Sequence, residues 1–360
     1  VTLNASNAAS VSAMTEHPLI AQAHRIANTI LFPAAPEVDR TGEIPQTHWR
    51  ALADAGLYGT ALPAAQGGPD LDIAGLVDIL EIISSGCLAT AFTWVQHHGM
   101  LAALVASANT ALREELIDDV AAGRRRAGVA YAGAVPVPPR MTADRVEGGW
   151  RLSGRAPFVS GWGVIDVIQF SVVDRGSGDI VSGVLEARAQ PGILAVTPQP
   201  LFVCDATRTV SLEVDGLFLP DARVTNRVTR TEFMANQNFG SRLNGTLPIG
   251  VARRCASVLE DAGEHAAAAG VRADIDGVRS RLDAGLGDST LLLRARAEGA
   301  ELAVRAAAAV VASGGGPAIL RDAVPQLLAR DAAFTLVAAS RPELKQSLVE
   351  RFSRPQNSRD

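Results

Sequence analysis

Aromatic residues make up only 4% of this 360-residue sequence, against 48% hydrophobic residues in all. Small aliphatic side chains must therefore fill the core. Runs such as Ala306-Ala307-Ala308-Ala309 suit closely packed helices, because alanine is the least costly residue to place in one. There are three cysteines, Cys87, Cys204 and Cys255, with no CxxC pair. An odd, dispersed set argues against a disulfide framework and for a reducing, cytoplasmic setting. No uninterrupted apolar stretch reaches the roughly 18–20 residues of a membrane span, so no membrane partner is expected. The first twenty residues lack a basic segment followed by an apolar one, so no secretory signal is read. Basic charge does not accumulate either: 33 basic and 38 acidic side chains are interspersed, with a net charge of −5, which makes nucleic acid a poor partner. Metal-ligand spacings, phosphate-binding loops, GxGxxG fingerprints and internal repeats are all missing, and no metal is expected.

What is present is punctuation and periodicity. The length suits two or three domains of roughly 100–150 residues. Pro18–Ile30, Pro45–Ala55, Asp72–Ile83, Thr90–Ser107 and Thr110–Ala122 carry apolar residues at helical spacing, and Gly56 is a typical helix stop. The cationic run Arg124-Arg125-Arg126 follows. It reads either as a solvated helix end near the negative dipole terminus or as a docking patch for an anionic ligand. From about residue 127 the pattern turns to short β-like runs: Arg126–Ala134, Arg145–Ser153, Val164–Asp174, Ile180–Arg188, Ile193–Pro198 and Thr209–Val214. Turn residues separate them, and the prolines of Val135–Pro139 cannot continue a central strand. This predicts an antiparallel β domain. Helical patterning returns after Arg230, over Arg242–Ala267, Asp274–Leu286, Ser289–Ser313, Leu320–Val337 and Glu343–Phe352. Residues 1–126, 127–229 and 230–360 are accordingly expected as an all-α domain, a β domain and a helical bundle.

Several strings in that order resemble the acyl-CoA dehydrogenase family. Phe32-Pro33 through Asp39-Arg40-Thr41-Gly42-Glu43-Ile44-Pro45 is similar to the family's first interhelical turn, and Ala55-Gly56-Leu57 with Leu62-Pro63 through Gly67-Gly68 to its next signature. Pro191-Gly192-Ile193, Ala206-Thr207-Arg208, Glu213-Val214 and Leu219-Pro220 resemble its barrel strands and turns. Pro248-Ile249-Gly250 and Leu328-Ala329-Arg330-Asp331-Ala332 resemble the first and last helices of its bundle. The resemblance implies an α+β multidomain fold: an N-terminal helical domain, a middle β-barrel and a C-terminal four-helix bundle. It also implies FAD bound between barrel and bundle, a tetramer whose subunits complete one another's flavin sites, and α,β-dehydrogenation of an acyl thioester carried on coenzyme A or a carrier protein. That chemistry needs a positioned base for the α-proton, donors to the thioester oxygen, and the flavin as electron sink.

Carried over residue by residue, the resemblance is uneven. The turn that holds the family's catalytic glutamate falls on Ala338, Ala339 and Ser340, and the alternate base position falls on Ser241, just before Arg242, the candidate substrate contact. Glu343, four residues beyond Ala339, is either a surrogate base or a charge suited to a helix N-terminus. On the flavin side Tyr131 keeps its position, while Ala134 and Arg140 replace a threonine and a serine. Phe158-Val159-Ser160 replaces the tryptophan and threonine that flank the isoalloxazine, and reads either as a retained flavin face or as a core aromatic with a turn serine. Ala267 through Arg272 stands where the family has an inter-subunit loop, with Arg272 as the one candidate phosphate partner. Gly314 and Gly315 permit close backbone approach to a phosphate or simply end a helix. His97 and His98, adjacent on a helix, point about 100° apart and are poor chelators; they read as a pocket-entrance residue or as packed histidines.

Three functional readings follow. One is an FAD-dependent acyl-CoA dehydrogenase with impaired or altered catalysis. The second is a non-catalytic subunit in a homo- or heterotetramer with an active homologue. The third is a flavin-dependent monooxygenase on the same fold, for which Pro157-Phe158-Val159-Ser160-Gly161 and the paired histidines speak.

Overall fold

The structure is a computed structural model that describes residues 17–69 and 71–353. The expectation that no secretory signal is present concerns the first twenty residues, most of which lie outside the described residues. Helices come first: α1 (Pro18–Ile26), α2 (Phe32–Thr41), α3 (Gln46–Asp54), α4 (Ile73–Gly86), α5 (Leu88–Ala106) and α6 (Thr110–Ala121). Strands follow: β1 (Ala127–Ala130), β2 (Met141–Val146), β3 (Gly149–Val159), β4 (Val167–Asp174), β5 (Ile180–Glu186), β6 (Ile193–Pro198), β7 (Val210–Pro220) and β8 (Val224–Val228). The chain closes with α7 (Arg230–Asp261), α8 (His265–Ala284), α9 (Ser289–Gly314), α10 (Val324–Thr335) and α11 (Pro342–Ser353).

The segment resembling a first interhelical turn is mostly helix. Phe32–Thr41 continues α1 through a π-turn at Ala27–Leu31, with Pro33 in its first turn and Pro36 inside it. A proline's missing N–H and its ring are tolerated in a first helical turn, and the π-turn is one of the few devices by which a helix absorbs such an irregularity. The true turn is short and begins at Gly42, whose φ of 68° caps α2 in the left-handed region.

The sheet is mixed, not purely antiparallel. Its hydrogen-bonded path runs β6-β7-β3-β2-β4-β5-β8, with β1 added parallel to β4 and β2 also parallel to β4. Arg145–Ser153, which patterning reads as one strand, is a hairpin: β2 and β3 pair antiparallel around Gly148, φ 71°. β3 carries two register shifts against β7, and the second passes over Pro157 and Phe158. Such bulges re-aim side chains.

α7 begins twelve residues before its apolar pattern does. A capping box between Thr229 and Glu232 starts it at Arg230, so the mixed stretch up to Arg242 is already helical. Gly250 lets α7 cross α4: a Cβ there would lie 2.3 Å from the Ser84 Cβ and 2.6 Å from the Glu81 carbonyl oxygen. One continuous core joins these N-terminal helices to α7–α10, while the sheet packs its own core around Phe170, Leu152 and Leu212.

Candidate functional site

The turn at Ala338-Ala339 follows α10 and is half-buried, with Ala338 N–H bonded to the Phe334 carbonyl at 3.0 Å. Ala339 has φ 47°, a left-handed conformation that an alanine adopts only when its surroundings impose it. Against the turn lies Arg296 of α9, 4% exposed, whose Nη2 donates to the Ala338 and Ala339 carbonyl oxygens at 3.3 and 3.4 Å. Burial pulls the Arg296 guanidinium down to about 10; Tyr131 opposes this shift and Arg341 adds to it. Among the described residues no carboxylate pairs with Arg296. Its stem runs over Gly245 of α7, where a Cβ would meet the Arg296 Cγ at 3.0 Å.

Patterning could have found Arg296. Leu292, Leu293, Arg296, Gly299, Ala300 and Ala303 recur at three- and four-residue spacing and form the buried face of α9. A charged residue on that stripe is the anomaly, since arginine is almost never fully buried unless paired.

The other candidates scatter. Ser241 is buried in α7, and Arg242 beside it is wholly inside the bundle, with its Nε 2.8 Å from Asp283 and its Nη1 3.1 Å from the Thr246 hydroxyl. As a fully buried, ion-paired side chain it braces α7 against α8. Glu343 is exposed in the first turn of α11, the placement a helix-dipole charge would have. Residues 267–272 form no loop: they lie inside α8, because an alanine-rich run is a good helix former, and the real α7–α8 turn is Ala262 to Glu264. Arg272 is exposed on α8 and paired with Glu260 at 2.8 Å. Gly314 ends α9 and Gly315 follows at φ 57°, both exposed. At ~1.5 Å per residue, Gly314 lies about 27 Å along α9 from Arg296.

On the sheet side, Phe158 sits on the bulge at φ 53° and is 66% exposed, so it is not a core aromatic. Ser160 is buried, and its hydroxyl is 2.8 Å from that of Thr209, itself 2.9 Å from Thr207's. Tyr131 follows β1, half-buried against Ala134, Ile180 and Phe233. Neither histidine faces an entrance. His97 and His98 are sealed in α5, the His97 Nδ1 accepting from the Ala127 N–H at 3.1 Å. Burial pushes His97 down to about 3 and His98 well below the usual imidazole range.

A second buried polar group lies under α10. Asp331 lines a cavity of about 10 Å³ between α2, α4, α7 and α10, together with Ser84, Ser85 and Arg254. Burial, seconded by the charge of Asp39, pushes its carboxyl up to about 8; Arg330 and the Cys204 thiol pull the other way. All three cysteines are buried and reduced. Among the described residues no group of histidine, cysteine, aspartate or glutamate side chains could hold a metal ion, and no helix is long and apolar enough to cross a membrane.

Helical domain, sheet and helical bundle in this order define the acyl-CoA dehydrogenase fold. Residues 14–124 match the family model for the acyl-CoA dehydrogenase N-terminal domain. The structure superposes on butyryl-CoA dehydrogenase from Megasphaera elsdenii with a TM-score of 0.80 at 14% identity, covering 98% of this chain and 100% of that one. Among curated proteins, the mitochondrial isovaleryl-CoA dehydrogenase of Solanum tuberosum is 22% identical over 241 residues, 64% of this chain and 58% of that protein. The oxygenase component of an FADH(2)-dependent resorcinol hydroxylase from Rhizobium sp. (strain MTP-10005) is 25% identical over 268 residues, 70% of this chain and 60% of that protein. The matches thus span less than two thirds of either relative's length. Residues 14–124 thus match the acyl-CoA dehydrogenase N-terminal domain, and the whole chain shares the acyl-CoA dehydrogenase fold.

The residues present fit one half of the flavin that the family implies. Phe158, turned outward by the β3 bulge, offers a free ring face for stacking. On the phosphate half Arg272 is engaged by Glu260, which leaves the exposed Gly314 and Gly315 as the candidates there; on the ring side the Ser160 hydroxyl is engaged by Thr209.

Proposed function

We propose that this protein is a flavin-binding member of the family that holds an acyl thioester between sheet and bundle but does not abstract its α-proton in the usual way. The observation that carries the proposal is the Ala338-Ala339 turn, which presents backbone carbonyls and Arg296 where the resemblance places a carboxylate base. A side chain without a proton-accepting group cannot serve as general base, and Ser241 and Arg242 are buried in helix packing. FAD, when bound, would supply the electron sink; Phe158 and Tyr131 would border its ring, with Gly314 and Gly315 left for a neighbouring subunit's phosphates. Ile319, Leu320, Val337, Val349 and Phe352 are exposed apolar side chains on the α9–α11 side, which supports an oligomer, homomeric or with a homologue. Three buried, unpaired thiols suit a cytoplasmic protein.

The same alanine favours a second reading, in which the chain is a non-catalytic partner that completes a homologue's site. The similarity to the resorcinol hydroxylase component favours a third, oxygen-dependent one. Titrating the purified protein with FAD, determining its mass in solution and adding butyryl-CoA anaerobically separates them. The proposal expects a bound, yellow flavin and thioester binding with flavin bleaching far slower than a glutamate-bearing relative gives. A colourless protein that ignores both FAD and thioester overturns it. Oxygen consumption with supplied reduced flavin would establish the third reading, and stable co-purification with an active homologue the second.

A further inference from the structure

An arginine that is 4% exposed, with no carboxylate beside it among the described residues, has an incomplete environment. Carbonyl dipoles alone, here at 3.3 and 3.4 Å, compensate a buried cation poorly. Nearby groups add no negative charge to offset it: Arg341 brings a second cation and Tyr131 a phenol. The local construction favours this arrangement all the same. Gly245 clears the path of the Arg296 stem, and Ala339 holds a left-handed turn that aims two carbonyls at one guanidinium nitrogen, leaving the rest of the planar donor fork for another acceptor.

We propose that Arg296 is the specificity residue of an oxyanion subsite, and that the acyl group this protein takes is short and carries a carboxylate near its α- or β-carbon. The position follows from the proposed function, on which this inference rests: the 338–339 turn faces the acyl carbons next to the thioester carbonyl. A fork-shaped donor matches a carboxylate in a bidentate way, and such a pair discriminates against an isosteric methyl group. Rejection of the uncharged analogue then comes from leaving Arg296 buried and unpaired.

A purely structural role makes the opposite forecast. If Arg296 only braces the end of α10, removing it exposes two carbonyls and lowers stability while leaving ligand preference unchanged.

The test compares succinyl-CoA with butyryl-CoA, which differ by a carboxylate in place of a methyl group, on the full chain with whatever flavin it holds. Binding is followed by calorimetry in the wild type, R296M and R296K. Succinyl-CoA should bind at least 10-fold tighter than butyryl-CoA to the wild type. R296M should lose that preference with a Tm equal to or above the wild type's, and R296K should keep part of it. Equal binding of the two thioesters, or a preference that persists in R296M, overturns the proposal, as does a lowered Tm with preference intact. Free succinate provides the remaining arm. If neither thioester binds but succinate binds and R296M abolishes this, the acyl-thioester function fails while the oxyanion subsite stands. If the wild type binds none of the three, the subsite is refuted.

Discussion

Replacing Asp331 by asparagine removes one buried carboxyl without changing shape, and its effect on stability should depend on pH in a specific way. In the folded protein the group titrates at about 8, from burial first and the neighbouring Asp39 second; in the unfolded chain an aspartate titrates near 3.9. Between those values the folded state holds a proton that the unfolded state has released. Stability therefore falls as pH rises, by about 1.4 kcal/mol per unit for this group. It is unaffected by Asp331 below about pH 4, and the loss is complete above about pH 8. Integrated to pH 7, the group opposes folding by at most about 4 kcal/mol, less if a water in the adjoining cavity relaxes around the charge. D331N has no such proton to hold. Denaturant unfolding of wild type and D331N at pH 5, 6, 7 and 8 should show D331N gaining on the wild type by about 1.4 kcal/mol per pH unit. Parallel pH profiles for the two proteins would falsify the assignment of Asp331 as a neutral, buried carboxyl.

Three further outcomes are expected. His48 and His97 are held down to about 4 and about 3 by burial, so stability present above about pH 6.5 is lost as pH falls below it, at ~1.4 kcal/mol per unit for each. His97→Gln should flatten the acid limb of an unfolding-versus-pH curve by about one proton; an unchanged limb refutes the burial argument. Gly250→Ala drives a Cβ to within 2.3 Å of the Ser84 Cβ and should destabilise by about 1–3 kcal/mol or more, through the α4–α7 contact; a Tm within a degree of wild type would show that the crossing is looser than described. Ala339→Glu alone should produce no gain in anaerobic flavin reduction by butyryl-CoA, whereas the same change combined with R296M should; equal rates for the single and double variants contradict the role given to Arg296.

The order of helices, strands and helices was legible because hydrophobic periodicity differs between the two kinds of element, and β6 and α6 were legible almost to the residue. Where reading failed, identifiable residues caused it. Pro33 and Pro36 disguised α2 as a turn, though one lies in the first turn and a π-turn precedes both. The first twelve residues of α7 carry only a few apolar side chains, Phe233, Met234 and Phe239 among them, too few for a helical stripe, so the Thr229–Glu232 capping box is what announces the start. β8, Val-Thr-Asn-Arg-Val, is short and only partly buried, too little for an alternation signal. The run from Ala267 to Arg272 stands where the resemblance implies a loop, but its own composition favours helix. The site was harder still. The buried stripe of α9 marks Arg296 as an anomalous charge, but nothing in the sequence joins it to Ala339, some forty positions away; only the packing of the helices does.

The loss of a carboxylate at 339 and the presence of a cation at 296 are two halves of one electrostatic choice. A glutamate in that turn could reach a contact distance of about 4 Å from Arg296, which already donates to the Ala338 and Ala339 carbonyl oxygens. At an effective dielectric of about 20 such a pair attracts by on the order of 4 kcal/mol, enough to hold the carboxyl about three units below its ordinary value. A base that acidic would be ionised but nearly inert toward a weak carbon acid, because efficient proton transfer needs a pKa near the operating pH. The protein can keep a catalytic carboxylate there or a buried arginine, but hardly both. With Arg296 on the buried face of α9 and Gly245 making room for it, the second option is built into the helix packing. Alanine at 339 then removes a competitor for the guanidinium, and the negative charge that Arg296 requires must come from what binds there.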